Sequence, residues 1–170
     1  MARKTTPTHV LLNQIELSSA ASSVTFSSIP QGYGDLVLVC KLSGTSATGG
    51  LTMKLRLNGD SAGNYYDLVM GASSGGAFSN AVSGGTGLRL SYSGDNGTKP
   101  LLVISHIMDY SASDKHKTVL TRHSGTADSV RTDAFAGRWA NTNAVTSVTV
   151  IPDANSIASG SALSLFGIET

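Results

Sequence analysis

The stretch Leu51-Thr52-Met53-Lys54-Leu55-Arg56-Leu57, followed at once by Asn58-Gly59-Asp60, decides the fold. Apolar and polar residues alternate through it without a fault. A period of two sends successive side chains to opposite sides of an extended chain. Leu51, Met53, Leu55 and Leu57 therefore share one face, and Thr52, Lys54 and Arg56 the other. This is the pattern of a half-buried strand. Asn58-Gly59 ends it, because both residues reach positive φ cheaply and a tight reversal needs that.

Similar runs lie on either side of this stretch. Strands are expected near residues 10–16, 23–26, 36–42, 65–70 and 88–92, and again near 101–108, 118–122, 134–139, 145–151 and 162–168. Turn residues separate them: Gly32 to Gly34, Gly44 to Gly50, Gly84 to Gly87, Ser93-Gly94-Asp95-Asn96-Gly97 and Pro152-Asp153-Ala154-Asn155. The segment from Gly71 to Gly87 is long and weakly hydrophobic and is expected to be a loop. No stretch has the 3.6-residue apolar period of an amphipathic helix. Many short strands at spacings near a dozen residues indicate an all-β chain folded as an antiparallel two-sheet β-sandwich of jelly-roll type. We expect residues 10–170 to form that sandwich and residues 1–9 to form an extended N-terminal arm.

Composition narrows the function classes. The chain has 170 residues, enough to bury a core in one domain. Charged residues make up 14% and hydrophobic residues 40%, a balance that suits a folded chain. No apolar run approaches the ~20 residues of a spanning helix, so no membrane role is expected. No apolar segment follows Arg3-Lys4, and no secretory signal is expected. A net charge of +1 leaves no electrostatic footprint for nucleic acid. Cys40 is the single cysteine, so no intrachain disulfide can form, and its place in Leu36-Val37-Leu38-Val39-Cys40 suits a small buried hydrophobe.

A search for chemistry returns little. His9, His106, His116 and His123 show no metal-ligand spacing. Asp95-Asn96-Gly97 could contribute to a calcium loop, but it lacks the rest of the ligand pattern and is simpler as a turn. There is no Gly-x-Ser-x-Gly elbow leading into a helix, and no helix N-terminus to cradle a phosphate. A glycosidase needs two carboxylates across a cleft, and the only glutamates are Glu16 and Glu169. Asp109 and Asp114 flank what looks like a polar turn. We therefore expect no catalytic, metal or cofactor site and no enzymatic activity.

Contact residues are the remaining question. Aromatics are 6% of the chain, and most are needed inside; Trp139 and Phe166 are assigned to the core. Tyr65-Tyr66 is different, because alternation must turn one of the two rings outward, where it could meet a sugar. In the polar arm, Arg3, Lys4 and Pro7 are the residues expected to meet a partner.

Five segments in order carry a resemblance. They are Ser23-Val24-Thr25-Phe26-Ser27-Ser28-Ile29-Pro30-Gln31, Leu55-Arg56-Leu57-Asn58-Gly59-Asp60, the run from Met108 to Thr118, Ala136-Gly137-Arg138-Trp139-Ala140-Asn141-Thr142, and Leu165-Phe166-Gly167-Ile168. Together they resemble a family of small tailed-bacteriophage virion proteins, described as structural, capsid-decoration or tail-fibre-associated. The resemblance implies a β-sandwich without catalytic residues, assembled in the bacterial host cytoplasm and carried in the virion. From it we expect a capsid decoration or cement protein on the head, homo-oligomeric and docked on the major capsid protein or another virion protein. The alternative is a tail-fibre or receptor-binding module recognising a host-surface glycan.

Overall fold

The computed structural model describes residues 8–46, 52–91, 98–124 and 131–169. Arg3, Lys4 and Pro7 of the arm and the Asp95-Asn96-Gly97 turn lie outside the described residues. The chain forms β1 (His9–Glu16), β2 (Val24–Phe26), β3 (Asp35–Leu42), β4 (Met53–Leu57), β5 (Tyr65–Ser73) and β6 (Gly76–Gly85). The second half forms β7 (Leu88–Arg89), β8 (Leu101–Met108), β9 (Lys117–Ser124), β10 (Thr132–Trp139), β11 (Val148–Pro152) and β12 (Ala162–Ile168). Among the described residues there is no helix.

Two antiparallel sheets result, an eight-stranded one in the order β1-β12-β3-β8-β9-β10-β5-β6 and a four-stranded one in the order β2-β11-β4-β7. The topology becomes plain when four strands are set aside. Without β5, β6, β9 and β10 the remaining strands pair β1 with β12, β2 with β11, β3 with β8 and β4 with β7. First pairs with last, second with second-last, and so inward. That is a long hairpin rolled up across two sheets, the jelly roll. The β5–β6 and β9–β10 hairpins are insertions into it. They meet through the β5–β10 ladder and extend the larger sheet by four strands beyond β8.

The alternating pattern explains the core. Leu36, Leu38, Cys40 and Leu42 of β3, Val103 and Ile107 of β8, and Leu163 and Leu165 of β12 face inward from the larger sheet. Val24 and Phe26 of β2, Met53, Leu55 and Leu57 of β4, and Val148 and Val150 of β11 meet them from the smaller one. Each such aliphatic side chain contributes about 1.5–3 kcal/mol by leaving water. Cys40 is wholly buried, and burial pushes its thiol up to about 12.

The Leu57-Asn58-Gly59-Asp60 turn has φ of 54° at Asn58 and 66° at Gly59, and the Asp60 N–H donates to the Leu57 carbonyl at 3.0 Å. It carries the chain from the smaller sheet into the larger, so β4 and β5 are not a hairpin. The Asn58 side chain fixes the corner by accepting from the Thr146 and Ser147 N–H groups at 2.8 and 3.1 Å. Trp139 packs beneath it, stacked on Tyr65 with ring centroids 6.4 Å apart, and its Nε1 donates to Asp60 Oδ2 at 2.7 Å. Hydrogen bonds from Asn64 and Trp139 hold the Asp60 carboxyl below the usual carboxylate range.

Two expectations need correction. The segment from Gly71 to Gly87 is not a loop. It completes β5 and supplies β6, which pair in register from Leu68↔Ala81 to Ser73↔Gly76 around a tight turn with Gly76 at φ +103°. Being an edge strand of small and polar residues, β6 buries little, so it has no apolar periodicity to read. Phe166 is not a core residue either. Leu163, Leu165 and Gly167 take the inward positions of β12, which leaves Phe166 half-buried on the outer face. Gly167 must be bare, because the Tyr33 ring lies against it and a Cβ there would sit 2.5 Å from that ring.

Candidate functional site

The outward face of the larger sheet is where the described surface departs most from a plain soluble sandwich. One row of paired residues crosses all eight strands: Leu11, Phe166, Val37, His106, Leu120, Ala136, Leu68 and Ala81. Only His106 among them is polar. The next row adds Val39, Ile104, Ala134 and Met70. Leu102 at 57% and Met70 at 53% exposure are more open than a monomer normally leaves such side chains.

Within this face the two insertions build a trough. The outward residues of β10 are Thr132, Ala134, Ala136 and Arg138. The two alanines form a low floor between taller neighbours, Leu68 and Met70 on β5 and Leu120 and Arg122 on β9. Three abutting depressions of about 370, 420 and 370 Å3 follow this line. The first is lined by Met70, Ile104, His106, Leu120 and Ala134, the second by Tyr66, Leu68, Thr118, Ala136 and Arg138, and the third by Met70, Arg122 and Thr132. At the rise of an antiparallel strand, Thr132 to Arg138 spans about 20 Å. The result is open, elongated, apolar at its floor and polar at its rim.

Tyr65 and Tyr66 part company here. Tyr65 points inward, fully buried, with its hydroxyl accepting from the Leu57 N–H at 3.1 Å. Burial pushes that phenol up to about 12. Tyr66 faces outward at one end of the trough, with the Arg138 guanidinium 4.7 Å above its ring centroid. The other residues of the trough were not singled out from sequence. Their signal is the small-residue alternation of β10, which becomes a trough only once β5 and β9 are known to flank it.

Beneath the trough the inward side chains are polar and paired. Arg89 of β7 reaches across from the smaller sheet to Asp67 of β5, with Nε donating to Oδ1 at 2.6 Å, Nη2 paired to the same carboxylate, and the Arg89 N–H donating to Oδ2 at 3.2 Å. Its Nη1 donates to Asn80 Oδ1 on β6 at 3.0 Å. Asp133 of β10 accepts from Arg131 Nε at 2.8 Å and pairs with His123 Nε2 at 2.9 Å. The Arg89 contacts tie the β5–β6 hairpin to β7 of the jelly roll, those of Asp133 hold β9 to β10, and both acids point away from the outer face. Gly137 lets the sheets close, since a Cβ there would meet Leu88 Cδ2 at 2.7 Å.

The geometry offers binding and little chemistry. On the outer face, His106 Nε2 pairs with Asp35 Oδ2 at 3.0 Å. The side chains beside His106 in register and along the strand are Val37, Leu120, Ile104 and Met108, with no hydroxyl or thiol to activate. No outward carboxylate comes from β8, β9, β10, β5 or β6, so these strands set no pair of carboxylates across the trough. Among the described residues no group of three or more His, Cys, Asp or Glu could hold a metal ion.

No family model matches the chain, and a search of curated proteins finds no match. Solved structures similar to it include a galectin from Caenorhabditis elegans, LEC-6, at 12% identity over 93% of this chain and 96% of that one, with a TM-score of 0.38. A fructosyltransferase from A. japonicus gives 15% identity over 95% of this chain and 26% of that one, with a TM-score of 0.44. The tripod from the baseplate of bacteriophage Tuc2009 gives 8% identity over 95% of this chain and 64% of that one, with a TM-score of 0.32. Similarity at this level carries no ligand or activity across, and the functional reading rests on the trough itself.

Proposed function

We propose that this chain is a non-enzymatic glycan-recognition module of a bacteriophage particle, binding a linear stretch of host-surface polysaccharide along β10. The observation that carries the reading is the trough over Ala134 and Ala136. A sugar ring has apolar faces and a polar rim, and the trough offers the complement of both. Leu68, Met70, Ile104 and Leu120 supply apolar contact, while Thr118, Arg122, Thr132, Arg138 and Tyr66 supply hydrogen-bonding groups at the edges. The trough runs about 20 Å along β10, which suits a polymer better than a free monosaccharide. The resemblance to phage virion proteins supports the setting. A glycan array compared between the native chain and an Ala136→Phe variant, which fills the floor, tests the proposal. We expect binding that the variant loses without a change in thermal stability. Silence of the native chain across the host's polysaccharides would refute it.

A second reading is favoured by one observation. The apolar row from Leu11 to Ala81 runs well past the trough, across all eight strands. A capsid decoration protein that reinforces the shell would cover such a face by docking it on the major capsid protein or on another copy of itself. Stable docking of that kind buries at least about 1,000 Å2. Copy number in purified particles separates the readings: hundreds of copies favour the head, and a handful favour a tail-borne receptor-binding role.

A further inference from the structure

We infer that the polysaccharide taken by the trough is acidic, a polymer bearing carboxylates such as a uronate or a sialate. This inference rests on the glycan reading above and deepens it. It comes from the way the inserted strands sort their charges. Asp67 of β5 and Asp133 of β10 point inward, where Asp67 pairs with Arg89 and Asp133 with Arg131 and the His123 ring. The arginines Arg122 of β9 and Arg138 of β10 point outward onto the trough rim, and both are exposed. Among the described residues neither has a carboxylate partner. Asp35 of β3, an acid on this face, is committed to His106 and to the Asp109 N–H at 2.7 Å.

Register places the two guanidiniums well. Arg122 stands opposite Ala134, and Arg138 opposite Thr118, so they lie on adjacent strands four residues apart along β10. That is about 14 Å at the strand rise, with the apolar floor between them. Arg138 is held by stacking on Tyr66, which fixes its fork and leaves its N–H groups to donate. An arginine fork matches a carboxylate in a bidentate way, and such charge-assisted bonds are the stronger kind. A neutral polysaccharide would meet both forks only through hydroxyls, which make the weaker, single hydrogen bonds.

The test titrates the native chain with polygalacturonate, polysialate, fully methyl-esterified polygalacturonate and dextran, by calorimetry at low and high salt. The ester keeps the sugar backbone and replaces each carboxylate by a neutral methyl ester. We expect the acids to bind about tenfold or more tighter than the ester at low salt, and the gap to shrink as salt screens it. Arg122→Gln and Arg138→Gln should each weaken the acids roughly tenfold and the ester far less. Lys54→Gln, on β4 of the four-stranded sheet, should change neither. Equal binding of acid and ester, or arginine variants that bind acid as the native chain does, would overturn the inference while leaving the glycan reading standing. Binding of none of the four polymers would overturn both.

Discussion

Replacing Asp67 by Asn tests whether the inserted β5–β6 hairpin is locked to the jelly roll by a buried ion pair. The substitution keeps the shape and removes the charge. Asp67 and Arg89 side chains are 2% and 8% exposed, so the guanidinium left behind cannot recover its hydration. Removing one partner of a buried pair costs about 3–5 kcal/mol. Here the Asn80 side-chain and backbone oxygens still accept from the same guanidinium at 3.0 and 3.3 Å, which places the loss at the lower end, about 3 kcal/mol. For a chain of this size that lowers Tm by roughly 6–12 °C. Urea unfolding and calorimetry on native, Asp67→Asn, Arg89→Met and the Asp67→Asn/Arg89→Met double variant would read it. The double variant should be more stable than either single change, because no charge is then stranded. A single-variant loss below about 1 kcal/mol, or a double variant that merely sums the two losses, would refute the reasoning.

Alkali should weaken the fold before it reaches ordinary phenols. The Cys40 thiol is raised from 9.0 to about 12 and the Tyr65 phenol from 10.0 to about 12. A group with a raised value holds its proton longer when folded, so its stabilisation is complete below the unfolded value and lost as pH climbs towards the folded one. The urea midpoint should therefore hold level to about pH 9 and fall steadily towards 12, with Cys40→Ala removing part of the slope; a flat midpoint across that window would contradict the assignment. By the same burial, Cys40 should resist thiol reagents at pH 8 until the chain unfolds, and rapid labelling of the folded protein would be the contrary result. Gly137→Ala should cost about 1–3 kcal/mol by pressing a methyl onto Leu88, and Leu88→Ala in the same chain should relieve part of it, as chemical denaturation would show.

How much of this was legible in the sequence differs from place to place. The alternation of Leu51 to Leu57 announces a strand whose inward residues Met53, Leu55 and Leu57 join the core. Leu101 to Met108 is apolar at the outward positions 102, 104 and 108 as well, so its spelling announces a strand without saying which face is buried. The jelly-roll pairing is not written locally: β1 with β12 and β2 with β11 join opposite ends of the chain. β6 escaped notice because an exposed edge strand needs no apolar period. Phe166 misled because a large aromatic in an alternating strand reads as core whichever way it points. Of the Tyr65-Tyr66 pair, alternation required that one ring face outward, but choosing Tyr66 needed the register of β5 on β10. The trough itself could not be read at all. Ala134 and Ala136 are unremarkable until Leu68, Met70, Leu120 and Arg122 are known to stand beside them.

The central claim is that recognition happens along β10, and amide chemical-shift mapping of the labelled chain during titration with an acidic oligosaccharide tests it most directly. The account predicts that the perturbed amides cluster on Tyr66–Met70, Thr118–Arg122 and Thr132–Arg138. Perturbations confined to β1 and β12, or to the four-stranded sheet, or none at all at saturating ligand, would contradict it.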